Sequence, residues 1–248
     1  MAEKVLFQIK RQRDRTSDSY WEEFEIPYRP NMNVITALMD IQKNPVNRQG
    51  KKVAPVAWDS NCLEEVCGAC TMLVNGMVRQ SCAALIDQLE RPVKLEPMTK
   101  FPVVRDLVVD RARIFVDFKR VRAWIPIDGT YNLGPGPRMS KEEADVRYSL
   151  SRCMACGCCM EACPNYNEHS SFIGPAAISQ ALLFNLHPTG ALNQDERIAA
   201  VVSEGGVQCC GNAQNCVEVC PKEIPLTSSI GYIGRQATAY MFRRWFRR

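Results

Sequence analysis

Residues 4–10, KVLFQIK, form a short apolar-rich run that suits a β-strand, and FEIP alternates before Pro27 ends a second one. Val34, Leu38 and Ile41 then share one helical face, with Asn31 or Asn33 available as the cap and Pro45 closing the segment. In TMLV-NG-MVRQ, Asn75-Gly76 between two apolar runs predicts a hairpin with a type I′ turn. The strand VKLEPM completes a compact sheet. From about Arg105 the period becomes helical, with Leu107, Ile114, Phe118 and Val121 along one stripe, so a domain boundary is expected there, dividing the chain into 1–106 and 107–248. DGTYNLGPGPR has too much glycine and proline for regular structure, whereas Ser140 with Glu143 is a capping box that opens another helix. Further helices are expected at 175–186, 195–204 and 227–246, giving a helical second half built around cysteine loops.

Composition bounds what such a chain can be. With 248 residues, 46% of them apolar, it can fill one large core or two ordinary ones, which excludes disorder as its main state. No stretch approaches the roughly 20 apolar residues that cross a bilayer, and MAEKVLFQIKRQRDR lacks the apolar core of a secretion signal, so a cytoplasmic chain is expected. The 31 Lys+Arg exceed the 27 Asp+Glu by four, and Arg243, Arg244, Arg247 and Arg248 account for that whole excess. Basicity confined to one end argues against nucleic acid as a partner. Interleaved with Tyr240, Phe242, Trp245 and Phe246, these arginines suit a membrane surface, where each basic residue adds roughly 1 kcal/mol. The competing expectation is a last helix whose aromatics pack on their own domain.

Thirteen cysteines fall in three bunches, at 62–82, 153–163 and 209–220. In a reducing compartment, thiols bunched in this way point to metal. Cys62, Cys67, Cys70 and Cys82 have the plant-type C-x4-C-x2-C spacing, which wraps a 2Fe-2S cluster and takes its fourth ligand from across a hairpin. Gly68 and Ala69 are small enough to bring backbone N–H groups to the sulfurs. A structural zinc site is the alternative, disfavoured because zinc knuckles come as two short pairs rather than one long wrap. Cys153, Cys156, Cys159 and Cys163-Pro164 make the bacterial ferredoxin run, in which three ligands clasp one cluster and the fourth serves its neighbour. Cys153, Cys159 and Cys163 each recur 57 residues later, as Cys210, Cys216 and Cys220. By reciprocity Cys153, Cys156, Cys159 and Cys220 would hold a 4Fe-4S cluster. Cys163, Cys210 and Cys216 remain, with Ala213 where the repeat would place a fourth thiol, and three thiolates suit a 3Fe-4S cluster. Water completing a fourth iron, or Cys209 swinging in, are the alternatives. Cys158 and Cys209 otherwise read as spare buried thiols. Arg152 and Lys222 flank ligands and either favour reduced clusters or are simply solvated. His169 and His187 are too few and too far from the first bunch for a Rieske centre, no G-x-G-x-x-G follows a strand, and no catalytic set stands out.

These residues resemble a known family. NCLEEVCGACTMLVNG through Cys82, CMACGCCMEACPNY, FIGPAAI and CCGNAQNCVEVCPKEIP are similar to the iron-sulfur subunits of succinate dehydrogenase (succinate:quinone oxidoreductase) and of quinol:fumarate reductase. EIPYRPNMNVITALMDIQ, LEPMTKFPVVRDLVVDR and WIPIDGTYNLGPGPRM look most like the menaquinone-linked members of Gram-positive bacteria. The resemblance implies an α+β chain: a β-grasp 2Fe-2S ferredoxin domain, then an all-α ferredoxin domain carrying the 4Fe-4S and 3Fe-4S clusters. It implies that flavin (FAD) and haem reside only on partners, a flavoprotein catalytic subunit and a membrane cytochrome b anchor beside menaquinone. The chain would then relay electrons without oxidising succinate itself, as a peripheral subunit on the cytoplasmic face of the cell membrane. Ubiquinone-linked relatives carry tryptophan after the first Cys-Pro and histidine after the first cysteine of the last bunch. Asn165-Tyr166 and Gly211 stand here instead, which favours menaquinone. A fumarate reductase subunit and a free-standing multi-cluster ferredoxin are the competing readings.

Overall fold

A computed structural model describes residues 3–125 and 138–246. Strand β1 (Lys4–Arg11) turns Val5, Phe7 and Ile9 inward and pairs antiparallel with β2 (Tyr20–Pro27), whose Phe24 and Ile26 face the same core. Helix α1 (Val34–Lys43) lays Val34, Ile35, Leu38 and Ile41 on that core. Asn33 caps it, accepting from the Thr36 amide at 2.9 Å, and the Thr36 hydroxyl accepts from the Asn33 amide at 2.9 Å, so two otherwise orphaned donors are satisfied reciprocally. Strands β3 (Thr71–Val74) and β4 (Met77–Gln80) form the expected hairpin, with φ of 51° at Asn75 and 78° at Gly76, as a type I′ turn requires. Strand β5 (Val93–Glu96) runs parallel to β1 and antiparallel to β3, giving the order β2-β1-β5-β3-β4. A mixed sheet with one helix across it is the β-grasp arrangement.

The stripe from Leu107 to Val121 is not one helix. Strands β6 (Val103–Arg105) and β7 (Val108–Val109) make a small hairpin, and α2 starts only at Ala112 and ends at Arg120. A distant contact overrides the local pattern. Asp106, with φ of 46°, turns the chain and buries its carboxylate against Arg11, while Leu107 packs into the core of the N-terminal sheet. Buried Arg11 also pairs with Glu22 and donates to the Ala54 carbonyl at 3.0 Å.

By contact the chain forms two compact units, Met1–Arg111 together with Cys156–Glu161, and Ala112–Ala155 together with Ala162–Arg248. In the second, Ser140 and Glu143 cap α3 (Lys141–Ser151) as their spacing foretold. Helix α4 (Cys158–Glu161) belongs to the first unit. Helix α5 (Gly174–Leu186) is buried along nine positions and packs against α2, α3, α6 (Gln194–Val201) and α8 (Leu226–Phe246). Fully buried Arg197 donates to the carbonyls of Arg122, Trp124 and Gly190, at 2.9, 2.7 and 2.6 Å, so its charge is matched by backbone dipoles. Most of the glycine-rich loop expected at 128–138 lies outside the described residues, as do Arg247 and Arg248. Among the described residues no helix is long and apolar enough to cross a membrane.

Candidate metal centres

The first cysteine bunch is gathered by a loop leading into β3 and by the end of the β3–β4 hairpin. The Cys62 sulfur accepts backbone N–H groups of Glu64, Val66 and Cys67 at 3.4, 3.3 and 3.3 Å, and the Cys67 sulfur accepts that of Ala69 at 3.4 Å. Such curled amides require left-handed backbone at Leu63, Glu65 and Gly68, and it is found there. They stabilise a thiolate and lower the Cys62 thiol to about 7. Cys70 and Cys82 are buried, and burial, with Cys82 as neighbour, raises Cys70 to about 12. A loop that favours one thiolate and hides two more from water is matched to a cation that neutralises them.

Within the same unit, Cys156 follows left-handed Ala155, and Cys158 and Cys159 sit in the first turn of α4. A hydrogen bond from Cys158 is the leading cause that lowers Cys156 to about 7, with Arg111 contributing by charge, and the same bond together with burial raises Cys158. Cys158 is fully buried, as expected of a spare thiol. Glu161 anchors this turn: its carboxylate accepts from the Thr99 amide and hydroxyl at 2.9 and 2.6 Å and from the Lys100 amide at 3.0 Å. In the second unit, Cys153 lies just beyond the α3 cap and Cys220 just beyond α7 (Asn215–Glu218), where its sulfur accepts the Ile224 amide at 3.5 Å.

Cys163, Cys210 and Cys216 line one cavity of the second unit, with Ala213 on its wall beside Asn165, Gln214, Thr227 and Ile230. Burial first, then the charges of Cys163 and Cys210, raises Cys216 to about 11. Three cysteines gathered on one cavity, with the Cys216 thiolate disfavoured by burial and by the other two, make a site whose chemistry calls for positive charge. Cys209 does not line the cavity; it is half-buried, in a short turn preceding Cys210, so it is less enclosed than a buried spare thiol would be.

The 57-residue repeat extends beyond the cysteines. Helix α4, Cys158–Glu161, recurs as α7, Asn215–Glu218, and left-handed Ala155 and Gly157 recur as Asn212 and Gln214. The same backbone is thus built twice around different clusters of side chains, and Ala213 occupies the place of Cys156. Among the described residues, no three His, Cys, Asp or Glu side chains close around a single ion. His169 is exposed; His187 ends α5, its Nδ1 accepting the Thr189 amide at 3.1 Å.

Two residues of the first unit escaped the sequence reading. Gln80 is buried on β4 and reaches two sulfurs, accepting from Cys70 and donating to Cys158, each at 3.5 Å, while its Nε2 donates to the Thr71 hydroxyl at 2.7 Å. A glutamine at an inward strand position was the available signal. Arg111 donates to backbone carbonyls of Gly68, Ala69 and Cys156; nothing in its local sequence marks it.

Two family models match the chain. Residues 6–116 match the family model of a 2Fe-2S iron-sulfur cluster binding domain, and 149–224 that of a 4Fe-4S dicluster domain. The succinate dehydrogenase iron-sulfur subunit of Bacillus subtilis (strain 168) is 61% identical over 98% of this chain and 96% of its own. A fumarate reductase iron-sulfur subunit of Wolinella succinogenes is 28% identical over 89% of this chain and 90% of its own. A chain of the Mycobacterium smegmatis Sdh1 complex in the apo form shares the fold, with a TM-score of 0.80 at 22% identity over 98% of each chain. From a β-grasp unit with its cysteine loop, a helical unit with a twice-built cysteine turn, and this full-length identity, the chain belongs to the family of succinate dehydrogenase iron-sulfur subunits.

Proposed function

We propose that the chain carries electrons through three clusters: 2Fe-2S on Cys62, Cys67, Cys70 and Cys82; 4Fe-4S on Cys153, Cys156, Cys159 and Cys220; and 3Fe-4S on Cys163, Cys210 and Cys216. The observation that carries this reading is the cavity lined by Cys163, Cys210 and Cys216, with Ala213 on its wall and Cys209 outside it. Bound there, iron-sulfur clusters supply one-electron chemistry without moving heavy atoms. The residues supply the rest. Amides of Glu64, Val66 and Cys67 hold the Cys62 sulfur as a thiolate, and Cys70 and Cys82 lie in the apolar core with Met72 and Val74. Glu161 fixes the turn that bears Cys159.

The electron donor is the flavin of a flavoprotein subunit that oxidises succinate, and the acceptor is menaquinone at a membrane cytochrome b anchor. This chain would be peripheral, on the cytoplasmic face. At the end of α8, Met241, Phe242, Trp245 and Phe246 are all more than half exposed, alongside Arg243 and Arg244, which supports a membrane surface over aromatics packed on their own domain. Identity of 61% to a succinate dehydrogenase subunit against 28% to a fumarate reductase subunit favours succinate oxidation.

Iron and sulfide analysis with low-temperature EPR of the oxidised and reduced complex tests the assignment. An oxidised-state 3Fe signal is expected, and zinc in place of iron, or no such signal, refutes it. Ala213→Cys supplies the missing thiolate, so it should convert the last centre to 4Fe-4S, lower its potential and slow quinone reduction. An unchanged 3Fe signal in a folded variant refutes the ligand assignment.

A further inference from the structure

In the first unit the loop of Cys62–Cys70 and the turn at Cys156 touch. Gly68 has φ of 72°, and a Cβ built on it would stand 2.8 Å from Cys156 Cα and 2.8 Å from its Cβ, so no side chain fits. One cation spans this seam. Arg111, half-buried between β7 and α2, donates from Nη1 to the Gly68 carbonyl at 2.6 Å and the Cys156 carbonyl at 3.4 Å, and from Nη2 to the Ala69 carbonyl at 3.4 Å. Three carbonyl dipoles aimed at one point repel unless a donor sits between them. The planar guanidinium, with five donors in a rigid fork, can serve both loops at once; a lysine ammonium brings the charge without the fork. Gln80 makes a second link, from Cys70 to Cys158, a few residues away on each loop.

We propose that Arg111 is a positioning residue for electron transfer between the first two centres, setting the gap between the loops of Cys67–Cys70 and Cys156. The inference rests on the ligand assignment above and adds a role for a residue that binds no iron. The transfer moves one electron, lost by the first centre and gained by the second, with no bond made or broken and no proton required; succinate oxidation on the flavoprotein supplies it. The guanidinium's charge also favours the reduced state of both centres.

The test compares the assembled membrane complex with its Arg111→Lys and Arg111→Met variants. Microwave-power saturation of the reduced 2Fe-2S EPR signal reports how strongly the neighbouring centre relaxes it, and redox titration gives both midpoint potentials. In Arg111→Met the half-saturation power should fall several-fold and both potentials should drop. In Arg111→Lys the potentials should stay near those of the unaltered complex while the half-saturation power still falls. A merely structural arginine would change cluster content or melting temperature and leave saturation and potentials alone. Intact signals with unchanged saturation and potentials in Arg111→Met overturn the proposal alone. If that variant assembles without its second cluster, unchanged saturation in Arg111→Lys overturns it. Absence of either cluster signal from the unaltered complex overturns the ligand assignment and this role together.

Discussion

Replacing Arg11 with methionine should weaken the first unit more than any surface change could. The side chains of Arg11, Glu22 and Asp106 are 4%, 9% and 3% exposed, so removing the guanidinium leaves two carboxylates enclosed with like charge. Asp106 keeps the amides of Gln12 and Ala57, at 3.1 and 2.8 Å, and Glu22 keeps the Asn47 amide group at 3.3 Å. Those contacts soften the loss without removing it, and breaking a buried ion pair on one side costs about 3–5 kcal/mol. For a chain of this size, at about 2–4 °C per kcal/mol, the melting temperature should fall by about 6–20 °C. Asp106 also holds Ala57, five residues before Cys62, so visible circular dichroism of the 2Fe-2S centre during a thermal ramp reads the loss where it matters. Adding Glu22→Gln and Asp106→Asn to the methionine variant should restore most of the drop, because no enclosed charge is left. A single Arg11→Met variant that melts within about 1 °C of the unaltered complex would refute this accounting.

Asp117 offers a pH dependence. Burial, only partly offset by the Tyr166 hydroxyl at 3.1 Å and by Arg113 and Arg120, raises its carboxyl from 3.8 to about 6. The folded chain therefore holds this proton more tightly than the unfolded chain, and stability falls as pH rises between those values, by about 3 kcal/mol in all. Asp117→Asn should remove this slope, measured as the difference in urea midpoint from the unaltered chain at pH 4, 5, 6 and about 7; a parallel profile would refute it. Gln214 is left-handed, with φ of 65°, and its side chain caps nothing, so Gln214→Gly should stabilise α7 by about 1 kcal/mol. An unaltered or lower melting temperature for that variant would count against strain at this turn. Gly68→Ala, by contrast, meets both left-handed backbone and the Cys156 contact, and should cost several-fold in recovered 2Fe-2S content, measured as iron per chain; full occupancy would refute the close approach.

Much of the fold was readable because it is written locally. Asn75-Gly76, the Ser140–Glu143 box and the face of Val34, Leu38 and Ile41 each carry their instruction within a few residues. The first cysteine loop is local in the same way: amides that reach Cys62 come from the next five residues. Failure came where a partner was far off in sequence. Leu107 looked helical because it falls in phase with Ile114, yet Asp106 answers to Arg11, 95 residues away, and that contact decides the backbone. Arg111 and Gln80 were missed likewise, since their partners lie 43 and 78 residues distant. The repeat was visible in its cysteines, but its left-handed positions were not, because Ala155 and Gln214 are residue types that give little warning of positive φ.

Helix α4 arrives late in the chain yet completes the early unit, and this orders the events of synthesis. Until Glu161 has been made, the amides of Thr99 and Lys100 have no carboxylate to bind; until Cys158 has been made, Gln80 points into an unfilled pocket. A ribosome that has delivered only the first 111 residues therefore displays every strand but not the helix that completes their unit, and the first unit matures only after residue 161 is made. A gene split after residue 111 would leave the first product without its last helix.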